Sequence, residues 1–151
     1  MKLSDQVITL ETAKKLKELG IKQESLFYWY DYFVNGWSAE YREIVPRCDD
    51  LLSAFTASEL MDLIPARINI LDSEEPFDNF RFNMFACHIG THDATKFIKH
   101  YAINYHCDTL MGDEIFSYPR QLFEHNVLDQ NFAECCAKVL IKLIEKGYVK
   151  L

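Results

Sequence analysis

Two segments with a strict period of two constrain this chain more than anything else in it. Phe80, Phe82 and Met84 alternate with Arg81 and Asn83; further along, Tyr101, Ile103 and Tyr105 alternate with His100, Ala102, Asn104 and His106. Successive side chains of a strand point to opposite faces. A turn at Thr91–Ala94, with His92-Asp93 at its tip, sets Tyr101 opposite Met84, Ile103 opposite Phe82 and Tyr105 opposite Phe80. All six then share one face, and a slip of one residue would expose the whole set, so the parity of this hairpin is strongly specified. The opposite face, with Arg81, Asn83, His100, Asn104 and His106, is predicted to be wetter.

Helices to cover the apolar face are legible on either side. Phe132, Cys136, Val139, Leu140, Leu143 and Ile144 form a stripe at helical spacing. Asn131 with Glu134, or Asp129, can cap its start and Gly147 its end, while Lys138, Lys142 and Lys146 lie opposite the stripe. An earlier helix shows Leu10, Ala13, Leu16 and Leu19 on one face, with Thr9 as N-cap and Gly20 at the left-handed C-terminal position. Thr56-Ala57-Ser58-Glu59 reads as a capping box for a short helix that Pro65 ends. Arg67–Leu71 reads as a brief strand, and Ser73-Glu74-Glu75-Pro76 as a loop.

The segment Ser25–Phe33 is dense in aromatic residues, which favour strand. Asn35-Gly36 then supplies a two-residue turn. That turn pairs Trp29 with Arg42, Tyr30 with Tyr41 and Asp31 with Glu40; the first pair allows ring–guanidinium stacking and the last is unfavourable. The predicted order is α-β-β-α-β-β-β-α. It implies an α+β fold, an antiparallel sheet with packed helices, in one globular domain over residues 1–151.

Charge and motifs narrow the function classes. With 23 acidic against 16 basic residues the net charge is −7, and residues 40–75 hold nine acids against three bases. Such a field opposes phosphate backbones, so nucleic acid is disfavoured as a partner. No apolar run reaches the ~18 residues of a membrane span, and residues 1–5 lack the apolar core of a signal peptide, so no membrane partner and a cytoplasmic location are expected. Five cysteines, Cys48, Cys87, Cys107, Cys135 and Cys136, include no Cys-x-x-Cys and read as reduced thiols. Cys136 falls on the apolar stripe, whereas Cys135 is expected to be partly exposed. The hairpin register spreads Cys87, His88, His92, His100, His106 and Cys107 too widely for a tetrahedral zinc site. No nucleophile elbow, phosphate-binding loop or dinucleotide fingerprint occurs. No catalytic, cofactor-binding or metal-binding residue is therefore nominated.

Two stretches resemble known families. Leu19-Gly20-Ile21-Lys22-Gln23-Glu24-Ser25-Leu26-Phe27-Tyr28-Trp29 resembles the helix-turn-helix of MerR and excisionase proteins, and with the preceding helix the resemblance covers residues 9–31. It implies a DNA-binding regulator in which Ser25 caps a recognition helix. A helix over Ser25–Phe33 would support that reading and a strand would remove it. Most of the chain resembles a family of small uncharacterised proteins encoded by phages, prophages and mobile elements of gut bacteria. The matching blocks run from Ala13 to Trp29, from Ala54 to Pro65, and from Ala137 to Gly147. That resemblance brings no catalytic residues and implies a cytosolic, non-enzymatic accessory protein. Residues Trp29, Tyr30, Trp37 and Tyr41 are the candidate interaction surface, with a protein partner or a second copy of the chain as the expected ligand.

Overall fold

Each helix is started by a side chain next to it in sequence. The computed structural model describes residues 3–32, 36–45, 51–69, 79–90, 97–107, 120–123 and 126–150. After a 3-10 turn at Leu3–Asp5, helix α1 (Leu10–Glu18) begins at Thr9, whose hydroxyl accepts the Thr12 N–H at 3.3 Å. Gly20 ends it at φ +89°, a backbone conformation that costs a residue with a Cβ. Helix α2 (Ala57–Leu63) carries the predicted box: Glu59 N–H reaches the Thr56 hydroxyl, and the Glu59 carboxylate takes the Thr56 N–H at 2.7 Å. That carboxylate also accepts the Leu26 N–H at 2.9 Å. Burial alone would raise the Glu59 carboxyl, but the Thr56 and Leu26 donors outweigh it and hold it below its ordinary value. Helix α3 (Phe132–Glu145) is capped by Asn131, which accepts the Glu134 N–H, and Gly147 follows it at φ +74°.

The strands form two antiparallel sheets. Strands β1 (Phe27–Asp31), β2 (Trp37–Tyr41) and β3 (Leu52–Ser53) lie in the order β2-β1-β3. Strands β4 (Arg67–Asn69), β5 (Asn79–Gly90), β6 (Phe97–Cys107) and β7 (Arg120–Gln121) lie in that order, and β8 (Val127–Asp129) also pairs with β6. The α+β class and the predicted order hold, with β3, β7 and β8 added. These three are two or three residues long and carry no period that a sequence reading could detect.

The long hairpin keeps the predicted parity in a register shifted by two. Met84 pairs with Ile103, Phe82 with Tyr105 and Ala86 with Tyr101. The predicted turn residues 91–94 and the loop residues 73–76 lie outside the described residues. Tyr105 is fully buried between the rings of Phe82, 5.6 Å away, and Phe123, 6.4 Å away, and its hydroxyl donates to the Pro65 carbonyl. The expectation of one wet face fails at β6, where Ala102 and Asn104 on that side are as buried as Ile103 and Tyr105 on the other.

Asn104 is buried because its amide replaces strand hydrogen bonds. Along the second edge of β6, His106 pairs with Gln121 and Ile103 with Val127, and Phe123 and Asn126 lie between those pairs in sequence. The Asn104 Nδ2 donates to the Phe123 carbonyl (3.2 Å) and to Asn126 Oδ1 (3.1 Å), while its Oδ1 accepts the N–H of Phe123 (3.2 Å) and of Tyr105 (2.8 Å). The side chain thus staples Phe123 and Asn126 to β6.

Helix α3 is covered on more than its predicted stripe. Ala133, Cys135 and Ala137 are buried along with Cys136, Val139, Leu140 and Leu143. The helix packs on β6 and β8 on one side and against α1 and α2 on the others. Cys135, expected to be partly exposed, is fully buried, with its thiol 3.3 Å from the carbonyls of Tyr101 and Val127.

The aromatic segment is a strand. Residues 27–31 form β1, so the described chain has no recognition helix and residues 9–31 are not a helix-turn-helix. Cross-strand packing holds it: the Phe27 and Tyr41 rings meet edge-on at 4.5 Å, and the Trp29 indole N–H donates to the Ile8 carbonyl at 3.1 Å. The hairpin register also differs from the expected one. Trp29 pairs with Ala39, Tyr30 with Ser38 and Asp31 with Trp37. Gly36 adopts φ +75° and its carbonyl accepts the Tyr32 N–H at 3.2 Å; Asn35, the other residue of the expected two-residue turn, lies outside the described residues. This register sets Asp31 against Trp37 and Glu40 against Tyr28, and so avoids the Asp31–Glu40 opposition of the expected one.

Candidate interaction surface

Register decides which aromatic residues share a face. Phe27, Trp29, Trp37, Ala39 and Tyr41 lie on one face of the β1–β2 hairpin, and Tyr28, Tyr30, Ser38 and Glu40 on the other. The four nominated residues therefore do not form one patch. Trp29 turns inward against the core and spends its indole N–H on Ile8. Tyr30 is half-buried on the opposite face, with the Tyr32 ring edge-on at 4.9 Å. Trp37 and Tyr41 are exposed, at 42% and 55%. Lys14 of α1 stands 5.7 Å from the Trp37 ring, close enough for a cation–π contact.

Two further exposed apolar residues flank the base of the hairpin. Leu26 is 61% exposed and Ile44 is 66% exposed. Arg42 N–H bonds the Leu26 carbonyl and Ile44 N–H bonds the Tyr41 carbonyl, so the chain ends that carry them are tied together. Sequence reasoning missed both, because a single Leu or Ile flanking a strand looks like a core residue.

A concavity runs between α1 and α3, with a volume of about 690 Å³. Its walls bring together Lys14, Lys15, Lys138, Asp129 and Glu134. The charges are engaged with other groups of the protein. Lys138 pairs with Asp129 at 2.6 Å, Lys15 with Glu145 at 3.1 Å, and Lys14 faces Trp37. The Glu134 carboxylate is buried against the start of α1, where it accepts the Thr9 N–H at 2.9 Å and the Thr12 hydroxyl. The floor is thus a structural joint between two helix N-termini.

The adjacent thiols of α3 are shielded. Burial pushes both Cys135 and Cys136 up to about 12, and for Cys135 the neighbouring Cys136 adds to the shift. Thiolates are the reactive form, so at pH 8 neither thiol of the folded chain should react with a disulfide reagent, whereas both should label once it is unfolded. Fast stoichiometric labelling of either residue in the native protein would contradict this. The sign of the linkage follows from the raised values. The unfolded thiols release protons first, so stability is complete below about pH 9 and falls as pH rises toward 12.

Among the described residues no group of three or more His, Cys, Asp or Glu is placed to hold a metal ion, and no helix is long and apolar enough to cross a membrane. No family model, curated protein or solved structure matches the chain.

Proposed function

We propose that the chain is a non-enzymatic protein-interaction module, an accessory or regulatory protein of the phage and mobile-element kind that it resembles, acting in the cytoplasm. The observation that carries this reading is the run of large apolar side chains left in water along the β1–β2 hairpin: Leu26, Trp37, Tyr41 and Ile44. Large apolar residues left exposed, and Trp and Tyr above all, are what protein interfaces cover. The backbone beneath them is held by strand pairing and by the Trp29–Ile8 hydrogen bond, so little ordering cost attends binding.

The negative net charge argues for a protein rather than a nucleic acid as partner. The DNA-binding alternative rested on a recognition helix in a segment that is strand β1.

The test combines sedimentation velocity with affinity capture from host extract, comparing the full chain with the double variant Trp37→Ala/Tyr41→Ala. The wild-type chain should associate, with itself or with a retained protein. The variant should lose that association while still folding cooperatively, its thermal midpoint lowered only by the loss of the Phe27–Tyr41 and Lys14–Trp37 contacts. A strict monomer that retains nothing would overturn the reading.

A further inference from the structure

The hydrogen bonds that tie β2 to β1 determine what its other edge offers. Arg42 N–H bonds the Leu26 carbonyl at one end of the hairpin, and Tyr32 N–H bonds the Gly36 carbonyl at the other. In an antiparallel pair the bonded positions recur every second residue. Ser38 and Glu40 therefore turn their backbone groups toward β1, and Trp37, Ala39 and Tyr41 turn theirs away. On β1 the same alternation sends Phe27 toward β3, where its carbonyl accepts the Ala54 N–H at 2.8 Å. Strand β2 is the end of its sheet, and no described strand pairs with its outer edge. The 3-10 turn Leu3–Asp5 lies near β2 without pairing with it as a strand, and an unpaired edge of five residues with exposed rings at both ends is a template for another strand.

We infer that this edge pairs with the same edge of a second copy, β2 to β2 antiparallel about a two-fold axis at Ala39. The inference rests on the interaction reading above and names its partner. The argument is the self-complementarity of Trp37-Ser38-Ala39-Glu40-Tyr41. Centred on Ala39, all five residues align. Trp37 of each copy faces the partner's Tyr41, and Ser38 of each faces the partner's Glu40. Trp37, Ala39 and Tyr41, whose backbone groups point outward, meet one another. Each such pair exchanges both of its N–H···O bonds, and the Trp–Tyr contact occurs twice, as an isologous interface requires. The neighbouring registers that also set outward groups against outward groups are worse. Centring on Glu40 opposes two carboxylates, and centring on Ser38 aligns only residues 37–39. The dimer would run β3-β1-β2 into the partner's β2-β1-β3 as one continuous sheet. A contact of this size belongs at the small end of protein interfaces, so a weak, concentration-dependent dimer is expected.

The experiment uses the full chain at concentrations up to about 0.5 mM in sedimentation equilibrium, together with three single-cysteine insertions, Ser38→Cys, Ala39→Cys and Glu40→Cys, under mild oxidation. A bonded antiparallel pair sets facing Cα atoms ~5.5 Å apart, within disulfide reach. The expected result is a reversible dimer whose Ala39→Cys form crosslinks at least tenfold faster than the other two and than the parent chain. Ala39→Pro, which removes one edge N–H and leaves the rings in place, should weaken the dimer at least tenfold. A chain monomeric throughout overturns the inference. If that monomer still retains a different protein, the interaction reading survives; if it retains nothing, both fail. A dimer that crosslinks equally at all three positions, or best at 38 or 40, also overturns it.

Discussion

Replacing Asn104 by alanine should cost about 3–5 kcal/mol of folding stability, the range for breaking a buried hydrogen-bond network. The buried amide uses its donors on the Phe123 carbonyl and Asn126, and its acceptor on the N–H groups of Phe123 and Tyr105. Truncation removes the Asn104 partner of both the N–H and the C=O of buried Phe123, and a buried group left unsatisfied costs about 1–3 kcal/mol. It also releases Asn126, the other residue that the amide ties to β6. Phe123, whose ring packs on Tyr105, would be loosened with it. Urea titration with a native-state hydrogen-exchange readout at Phe123 checks this. The midpoint should fall, and the Phe123 amide should lose protection before the amides of Ile103 and Val127. A loss below about 1 kcal/mol would mean that water replaces the staple at little cost.

The second large effect belongs to Glu134. Thr9 caps α1 through its hydroxyl, but the position three residues on, Thr12, has no carboxylate to return to the Thr9 N–H. Glu134 of α3 fills that role from another helix, accepting the Thr9 N–H at 2.9 Å and the Thr12 hydroxyl. Its neighbour Asn131 donates to the Val7 carbonyl at 2.9 Å, so the two helix starts are locked together. A carboxylate near a helix N-terminus is favoured by the helix dipole, and its hydrogen bonds are charge-assisted. Glu134→Ala should therefore destabilise the chain by about 2–4 kcal/mol. Glu134→Gln should cost less, because it keeps one acceptor and the shape. A double-mutant cycle with Thr12→Val should give a coupling of about 1 kcal/mol or more. Additive effects would show that the carboxylate acts through packing alone.

The two sites differ in how much of them can be read from residue order. The capping box at Thr56 and Glu59 was legible because its partners lie three residues apart. Glu134 was legible only as a capping candidate for its own helix, since nothing near it in sequence points to Thr9. The alternation at Asn104 placed it on the polar face, and the pattern was correct in parity. What changed its surroundings was the arrival of Phe123 and Asn126 against its amide, from a segment whose pairing strands have two and three residues. The aromatic surface was half legible. Composition marked Phe27–Phe33, Trp37 and Tyr41 as unusual, but which rings turn outward followed from the hairpin register.

Residue order by itself determined the helix starts at Thr9, Thr56 and Asn131, their ends near Gly20 and Gly147, the parity of the long hairpin and the strand character of the aromatic segment. Each depends on side chains a few residues apart, on the backbone freedom of one glycine, or on a period of two that a strand cannot escape. Tertiary structure decided the register of the β1–β2 hairpin, the destination of the Glu134 carboxylate and the burial of Asn104 and Cys135. Those outcomes compare contacts between segments far apart along the chain. Alternatives that look alike locally are separated there only by which buried polar groups find partners and which rings find cover.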